Sequence, residues 1–236
     1  MFYLLNMCLA LKCSILYIDI GSNDGETITQ FITRQTENSL NTLLLNDYKF
    51  TMSEACIVGF EPNPRWTSKL KKIEKHFLNN VSDLNIHTNT AVVATDETFV
   101  NLSIDSSDNN VGSSIYVERS LHTRKANTIK LSSFLEQYLV GIDEKTPILI
   151  RMDIEGYEYT LIPQLLLSGV FQKFKTYFMI EWHRYLKKRI DNFDYMFQHF
   201  NRAQSCSIEC NSLYQNLEKI LTYMIYMSGG KTNEIT

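Results

Sequence analysis

The sequence predicts an α/β fold, with a central and mostly parallel β-sheet covered by helices on both faces. Short apolar runs rich in Ile, Val and Leu alternate with longer segments of helical periodicity, as expected of strand–helix–strand units. A polar turn follows the main apolar runs, and the sequence contains no internal repeat or low-complexity tract. The 236 residues fit one domain that can bury a sizeable core without a disulfide or a structural metal.

The first half of the chain predicts two strands joined by a helix. The first strand is expected at Ile15–Ile20, and a turn with two glycines separates it from a helix that begins near Glu26. The polar segment 38–53 is interpreted as an insertion or a short extra helix. A second strand is expected at 55–60, and Pro64 can open the next helix because its fixed φ suits the first helical turn.

The second half continues the alternation of strands and helices. Strands are expected at 85–93 and 99–104, and the polar segment 105–127 is the candidate for a mobile lid or a substrate loop. The remaining predicted elements are a helical crossover at 129–139, a strand at 147–152, a helix at 157–167, a strand at 176–180, a helix near 213–220 and a short final strand.

Charge and composition narrow the class of partner. The net charge is −3, with 44% hydrophobic and 21% charged residues, which is typical of a soluble globular protein. This balance argues against a duplex-binding protein, so no nucleic-acid partner is expected. The one basic cluster has helical spacing and is interpreted as a solvated helix face rather than a phosphate site; it comprises Lys69, Lys71, Lys72 and Lys75.

The cysteines and the N-terminal segment bear on the compartment. The five cysteines include no C-x-x-C pair, so free or buried thiols in a reducing compartment are expected rather than a zinc site. The apolar segment 1–14 lacks a basic region and a cleavage site, and the run before Lys12 is too short to span a bilayer. A cytoplasmic protein without stable membrane insertion is therefore predicted, with a lost N-terminal anchor as the alternative.

Polar side chains concentrate where four predicted strands end, and ligands of open parallel sheets bind at that edge. The G-x-x-x-G turn after the first strand lets the backbone approach a ligand closely, although such turns also occur without ligands. Glu61 can accept hydrogen bonds from both hydroxyls of an adenosine ribose, or it can cap the helix that follows. The four clusters are Asp19 with the turn 21–25, Glu61, Asp153 with Glu155, and Glu181 with His183.

Four motifs together resemble the FkbM family of S-adenosylmethionine-dependent methyltransferases. They are YIDIGSNDGETI at 17–28, GFEPNP at 59–64, RMDIEGYEYTLI at 151–162 and MIEWH at 179–183. The resemblance implies a single domain with a Rossmann-like class I methyltransferase fold, a core over about 15–202 and a poorly matched tail, 203–236. It also implies S-adenosylmethionine as the cofactor, held by Asp19, Gly21, Ser22, Asn23, Asp24, Gly25, Glu61, Pro62, Asn63, Thr90, Ala91 and Val92.

Methyl transfer to a hydroxyl requires alignment of the acceptor and a general base. The candidates are Asp153, Glu155, Glu181 and His183, and we rank Glu155 and His183 first because they lie beyond the strand ends. Alternatively, Asp153 caps the following helix and His183 packs beside its neighbouring tryptophan. The four side chains could also ligate Mg²⁺ or Mn²⁺, but they form no dense ligand motif, so no metal is predicted.

The predicted function is therefore S-adenosylmethionine-dependent methylation of a hydroxyl-bearing acceptor. Two alternatives remain at this point. A nicotinamide oxidoreductase would use the same architecture, but the third glycine of its phosphate turn is missing. A catalytically silent domain that keeps the fold as an interaction surface is the other alternative. The acceptor and the oligomeric state are not predicted.

Overall fold

The computed structural model describes residues 13–34, 49–104, 113–115, 123–170 and 174–181. Its strands and α-helices are, in chain order, β1 (Ile15–Ile20), α1 (Glu26–Thr33), β2 (Ala55–Glu61), α2 (Thr67–Phe77), β3 (Asp83–Thr88), β4 (Thr90–Val93), β5 (Phe99–Ser103), β6 (Thr123–Lys130), α3 (Leu131–Tyr138), β7 (Ile148–Met152), α4 (Glu158–Ser168) and β8 (Thr176–Ile180). Short 3₁₀ helices precede β2 and α2, at Met52–Glu54 and Pro64–Trp66. The helix predicted near 213–220 lies outside the described residues.

A five-stranded parallel sheet forms the centre of the molecule, with the strand order β3-β2-β1-β7-β8. The chain moves outward from β1 through β2 to β3, and then returns to place β7 on the other side of β1. The strand order therefore reverses between β1 and β7, which is the position where open α/β sheets bind ligands. The predicted Rossmann-like α/β fold is confirmed.

Both faces of this sheet are covered, and the side chains of β1 show how. All six residues of β1 are buried. Leu16 and Ile18 pack on one face with α3 and α4, whereas Ile15 and Tyr17 pack on the other with α1 and α2. Because successive side chains of a strand point to opposite faces, a strand that is buried on both faces is almost entirely apolar, and Asp19 is the one charged residue of β1. Each fully buried aliphatic side chain contributes about 1.5–3 kcal/mol.

A second sheet of three strands has the order β4-β6-β5, with β4 parallel and β5 antiparallel to β6. It corrects three predictions. The strand predicted at 85–93 is two strands, because Asn89 adopts a left-handed conformation (φ 53°) that breaks the extended chain. Residues 123–127 of the predicted loop are part of β6, and the helix predicted at 129–139 begins only at Leu131. The strand β6 escapes pattern recognition because only Ala126 is fully buried.

Strand β3, at the outer edge of the central sheet, is hydrogen-bonded to side chains of α2. The N–H group of Ile86 in β3 donates to Glu74 Oε1 (2.7 Å), and Lys71 Nζ donates to the Ile86 carbonyl (2.9 Å). Lys71 and Glu74 also form an ion pair (2.7 Å). The lysines of the basic cluster are exposed, as the predicted solvated helix face requires.

Cys13 and Cys56 form a disulfide, so the prediction of free thiols is wrong for this pair. Cys13 lies just before β1 and Cys56 lies in the adjacent strand β2, which brings the two Cα atoms to 5.5 Å. The pairing of β1 with β2 brings these two cysteines together, and the spacing of cysteines in the sequence does not reveal that pairing.

Among the described residues, no helix is long and apolar enough to cross a membrane.

Candidate active site

A pocket lies at the carboxyl ends of β1, β2 and β7, beside the reversal of strand order. The pocket is open to solvent, and the space between its walls is about 600 Å³ when that open space is included. Its lining contains the predicted residues Gly21, Asn23, Glu61, Pro62, Asn63, Thr90, Ala91, Val92, Asp153 and Glu155, together with Ile20, Phe60, Trp66, Leu102, Ser113, Ile115 and Ile154.

The turn after β1 is fitted between the ends of β2 and β7. Gly21 has φ 86°, and a Cβ atom there would lie 2.0 Å from the carbonyl oxygen of Asp153, so only glycine fits. On the other side, the N–H groups of Gly21 and Ser22 both donate to the carbonyl of Phe60 (3.0 Å each). The backbone of this turn therefore forms one wall of the pocket, with Gly21 and Asn23 in the lining.

Four of the predicted cofactor residues lie behind this wall rather than in the lining: Asp19, Ser22, Asp24 and Gly25. The Ser22 hydroxyl donates to the Asp19 carbonyl (3.1 Å), and Asp24 pairs with Lys69 (2.6 Å). Gly25 faces α2, where an added Cβ would meet a side-chain atom of Ile73 at 2.5 Å. Asp19, Ser22 and Gly25 are buried, whereas Asp24 is partly exposed, so three of the four support the turn from inside the protein.

The Asp19 carboxylate is completely buried and bonded within the protein. Its Oδ2 accepts a hydrogen bond from the Thr27 hydroxyl of α1 (2.7 Å), and its Oδ1 lies 3.5 Å from Arg151 Nη1. Arg151 is opposite Asp19 in the pairing of β1 with β7, which explains their contact. Neither partner was singled out from the sequence, although both lie within the quoted motifs at 17–28 and 151–162.

Glu61, the last residue of β2, places a buried carboxylate in the pocket wall. Its Oε2 accepts the N–H group of Asn23 (2.6 Å) and its Oε1 accepts the N–H group of Asn63 (2.7 Å). Burial raises the pKa of Glu61 to about 7, although these two N–H groups oppose the rise. A carboxylate has about four lone-pair sites, so both oxygens retain the capacity to accept a further hydrogen bond from a ligand.

Asp153 and Glu155, which follow β7, both line the pocket. Asp153 Oδ2 accepts a hydrogen bond from Arg151 Nη2 (2.6 Å). The alternative that Asp153 caps a helix is wrong, because α4 begins at Glu158 with Tyr157 as its N-cap. Glu155 is buried and has a positive φ of 54°, a conformation that is costly for a residue with a side chain and is concentrated at functional sites.

Of the other two candidates for a general base, the structure describes only Glu181. Glu181 follows β8, is exposed and is absent from the pocket lining. Its N–H group donates to the carbonyl of Met152 (2.9 Å), which continues the pairing of β8 with β7. His183 lies outside the described residues. Within those residues, no group of three or more His, Cys, Asp or Glu side chains is arranged to hold a metal ion.

Several lining residues were not singled out from the sequence, although Phe60 and Trp66 lie in or beside the motif that contains Glu61. Their aromatic side chains next to Asn63 and two prolines were a usable signal. Ser113, within the predicted substrate loop, accepts a hydrogen bond from Asn63 Nδ2 (3.2 Å). The hydroxyl of Ser114 donates to the Glu155 carbonyl (3.0 Å). Residues 113–115 are thus bonded to both sides of the pocket.

The arrangement combines a glycine turn, a buried hydrogen-bond acceptor and two carboxylates at one rim. Such a site can hold a ligand with adjacent hydroxyl groups at Glu61 and present a proton acceptor at Asp153 or Glu155.

The family model of the methyltransferase FkbM domain matches residues 19–207, which is most of the chain. No curated protein and no solved structure matches the chain.

Proposed function

We propose that this chain, which belongs to the FkbM family of methyltransferases, binds S-adenosylmethionine in its pocket and transfers the methyl group to a hydroxyl acceptor. The family supports methyl transfer. The identity of the donor, the roles of individual residues and the hydroxyl acceptor are our proposal.

The observation that carries the proposal is the position of Glu61. Its carboxylate is buried at the end of β2, and two backbone N–H groups fix both oxygens in the pocket wall. A fixed pair of acceptor oxygens matches the two adjacent hydroxyls of a ribose. Gly21 is hydrogen-bonded to the end of β2 and packs against the carbonyl of Asp153, so the backbone of the turn forms the adjacent wall of the pocket. The adenosine part of the donor would lie near Thr90, Ala91 and Val92.

The charge of the pocket favours this donor over a dinucleotide. The ionisable side chains of the lining are the carboxyl groups of Glu61, Asp153 and Glu155, and the described lining contains no Lys, Arg or His. A sulfonium cation is attracted by such a wall, whereas the pyrophosphate of a nicotinamide cofactor would be repelled. Together with the missing third glycine, this observation argues against the oxidoreductase alternative.

S-adenosylmethionine, when bound, supplies an electrophilic methyl group for an in-line displacement. The residues of this chain then have to position the acceptor oxygen, exclude water and remove the hydroxyl proton. We assign proton removal to Glu155, because its side chain is buried in the pocket lining and its backbone holds a positive φ of 54°. His183 stays a candidate for the same role.

A calorimetric titration of the purified chain with S-adenosylhomocysteine, the demethylated donor, tests the proposal. Saturable binding is expected, with binding strongly reduced in Glu61→Gln and unchanged in Glu136→Gln, which alters an exposed glutamate of α3. NADH is the control ligand and should not bind. If the folded wild-type chain binds no S-adenosylhomocysteine, the methyl donor is wrong and the silent-domain alternative takes its place.

Binding of the donor then justifies a search for the acceptor. Incubation with S-adenosylmethionine carrying a labelled methyl group, across sugars, lipids and small metabolites with free hydroxyls, should give a labelled product that resists acid and base as an ether does. Label in an ester or an amine would instead overturn O-methylation of a hydroxyl.

A further inference from the structure

Arg151 is absent from the pocket lining, but its side chain donates hydrogen bonds to two residues of that lining, Gly21 and Asp153. We propose that Arg151 is the positioning residue of the donor site, which holds the Gly21 carbonyl and the Asp153 carboxylate in place before the donor binds. The inference concerns this site and rests on the proposed function only for the identity of the donor.

The guanidinium group contacts three groups at the carboxyl ends of β1 and β7. Its Nη1 donates to the carbonyl of Gly21 (2.7 Å) and lies 3.5 Å from Oδ1 of Asp19. Its Nη2 donates to Oδ2 of Asp153 (2.6 Å). A planar guanidinium can serve such divergent acceptors at once, whereas the single ammonium of lysine cannot reproduce the fork.

The contact with Gly21 fixes one particular peptide group. The carbonyl of Gly21 and the N–H of Ser22 belong to the same peptide plane. Arg151 bonds the carbonyl end, and the carbonyl of Phe60 accepts the N–H end (3.0 Å). A peptide held at both ends cannot rotate, although the adjacent glycine would otherwise give it wide conformational freedom.

This peptide determines where the next donor group points. Asn23 follows Ser22, has a left-handed φ of 49° and donates its N–H to Glu61 (2.6 Å). Rotation of the peptide before it would shift that N–H group and release one oxygen of Glu61. Arg151 therefore acts on the ribose acceptor through two residues of backbone, without contact with the ligand.

The electrostatic setting keeps Arg151 in position. Its side chain is 18% exposed, and Asp19 beside it is completely buried. Burial alone would lower the pKa of Arg151, but the carboxylates of Asp19 and Asp153 raise it above its ordinary value, so the side chain stays charged. Removal of the arginine would leave a buried carboxylate without its counterion, which is strongly destabilising.

The test uses the full chain with Arg151→Lys, which keeps the positive charge and removes the fork. Two properties are measured: the dissociation constant of S-adenosylhomocysteine by calorimetry, and amide hydrogen exchange of the peptide that covers the glycine turn. We expect the dissociation constant to rise about tenfold to a hundredfold, because small misplacements of a binding group have effects of this size. Exchange in the turn should rise in the protein without ligand.

Two controls separate positioning from general stability. Ile18→Val removes one methylene from the core of β1, which lowers stability, and it should leave the affinity unchanged. Arg124→Lys makes the same chemical change at an exposed position of β6 and should also have no effect. If Arg151→Lys does not fold, the double variant Asp19→Asn with Arg151→Gln removes the buried pair together and is measured in the same way.

The outcomes test the positioning role of Arg151 separately from the identity of the donor. Unchanged affinity in folded Arg151→Lys overturns the positioning role. Equal loss of affinity in Ile18→Val also overturns it, since stability alone would then explain the effect. If the wild-type chain binds no S-adenosylhomocysteine, the donor proposal fails, and exchange in the turn still decides the positioning role: a rise specific to Arg151→Lys supports it, and no rise overturns it.

Discussion

Glu61→Gln is expected to remove a pH-dependent part of the free energy of unfolding. The pKa of Glu61 is about 7 in the folded protein, against an ordinary value of 4.5. Between these values the folded state retains a proton that the unfolded chain has lost, so stability falls as the pH rises. One pKa unit corresponds to 1.36 kcal/mol, so the loss between pH 4.5 and pH 7 is about 3 kcal/mol.

Urea denaturation of both proteins at pH 5, 6, 7 and 8 measures this effect. The stability of the wild type minus that of the variant should fall by about 1.4 kcal/mol for each pH unit through pH 5 and 6 and level off above pH 7. Groups common to both proteins cancel in the difference. A difference that stays constant with pH would refute the reasoning, because Glu61 would then have the same pKa in both states.

The proton on Glu61 can also be counted when a ligand binds. A ligand with two hydroxyl groups binds the ionised carboxylate, so binding of S-adenosylhomocysteine below pH 7 should release a proton from Glu61. Calorimetry at pH 6 in buffers of different ionisation enthalpy counts that proton. The affinity should rise with pH up to about 7, whereas the stability of the protein without ligand falls.

Three further predictions follow from the site and the core. Gly21→Ala should cost about 3–5 kcal/mol in chemical denaturation, because the new Cβ meets a backbone carbonyl and φ is positive; a loss below about 1 kcal/mol would contradict the packing of the turn. Glu155→Gln should lower single-turnover methyl transfer about 10²–10⁴-fold with little change in donor affinity, and Glu136→Gln should match the wild type; equal rates would exclude Glu155 as the base. Reduction of the bond between Cys13 and Cys56, which closes a loop of 43 residues, should cost about 4 kcal/mol of stability; free thiols at both positions in peptides from the unreduced protein would contradict the disulfide.

The central sheet could be predicted from the sequence because its strands are buried on both faces. The strand Ile15–Ile20 is apolar except for Asp19 and is followed by a glycine turn, so its bounds are clear. The strand β6 has only one fully buried residue, Ala126, and its polar sequence is typical of a loop. The break at Asn89 depends on one left-handed residue within an otherwise extended pattern, which periodicity does not detect.

The candidate site was predictable where function depends on local sequence. Gly21, Asn23 and Glu61 follow directly from the ends of β1 and β2, and all three line the pocket. Arg151 could not be found in this way, because its role depends on contact with Asp19, which is 132 residues away in the chain. The register between two parallel strands brings them together, and a single sequence does not contain that information.

A sheet that ends in an open strand presents unpaired amide and carbonyl groups on which a strand of another molecule can add. In this chain, α2 occupies that position with an acid and a base: Glu74 takes the N–H of Ile86 and Lys71 takes its carbonyl. The two side chains are three residues apart and form an ion pair. Together they supply the acceptor and the donor that a neighbouring strand would supply to Ile86. Addition of another strand at Ile86 would therefore have to break an ion pair and two hydrogen bonds.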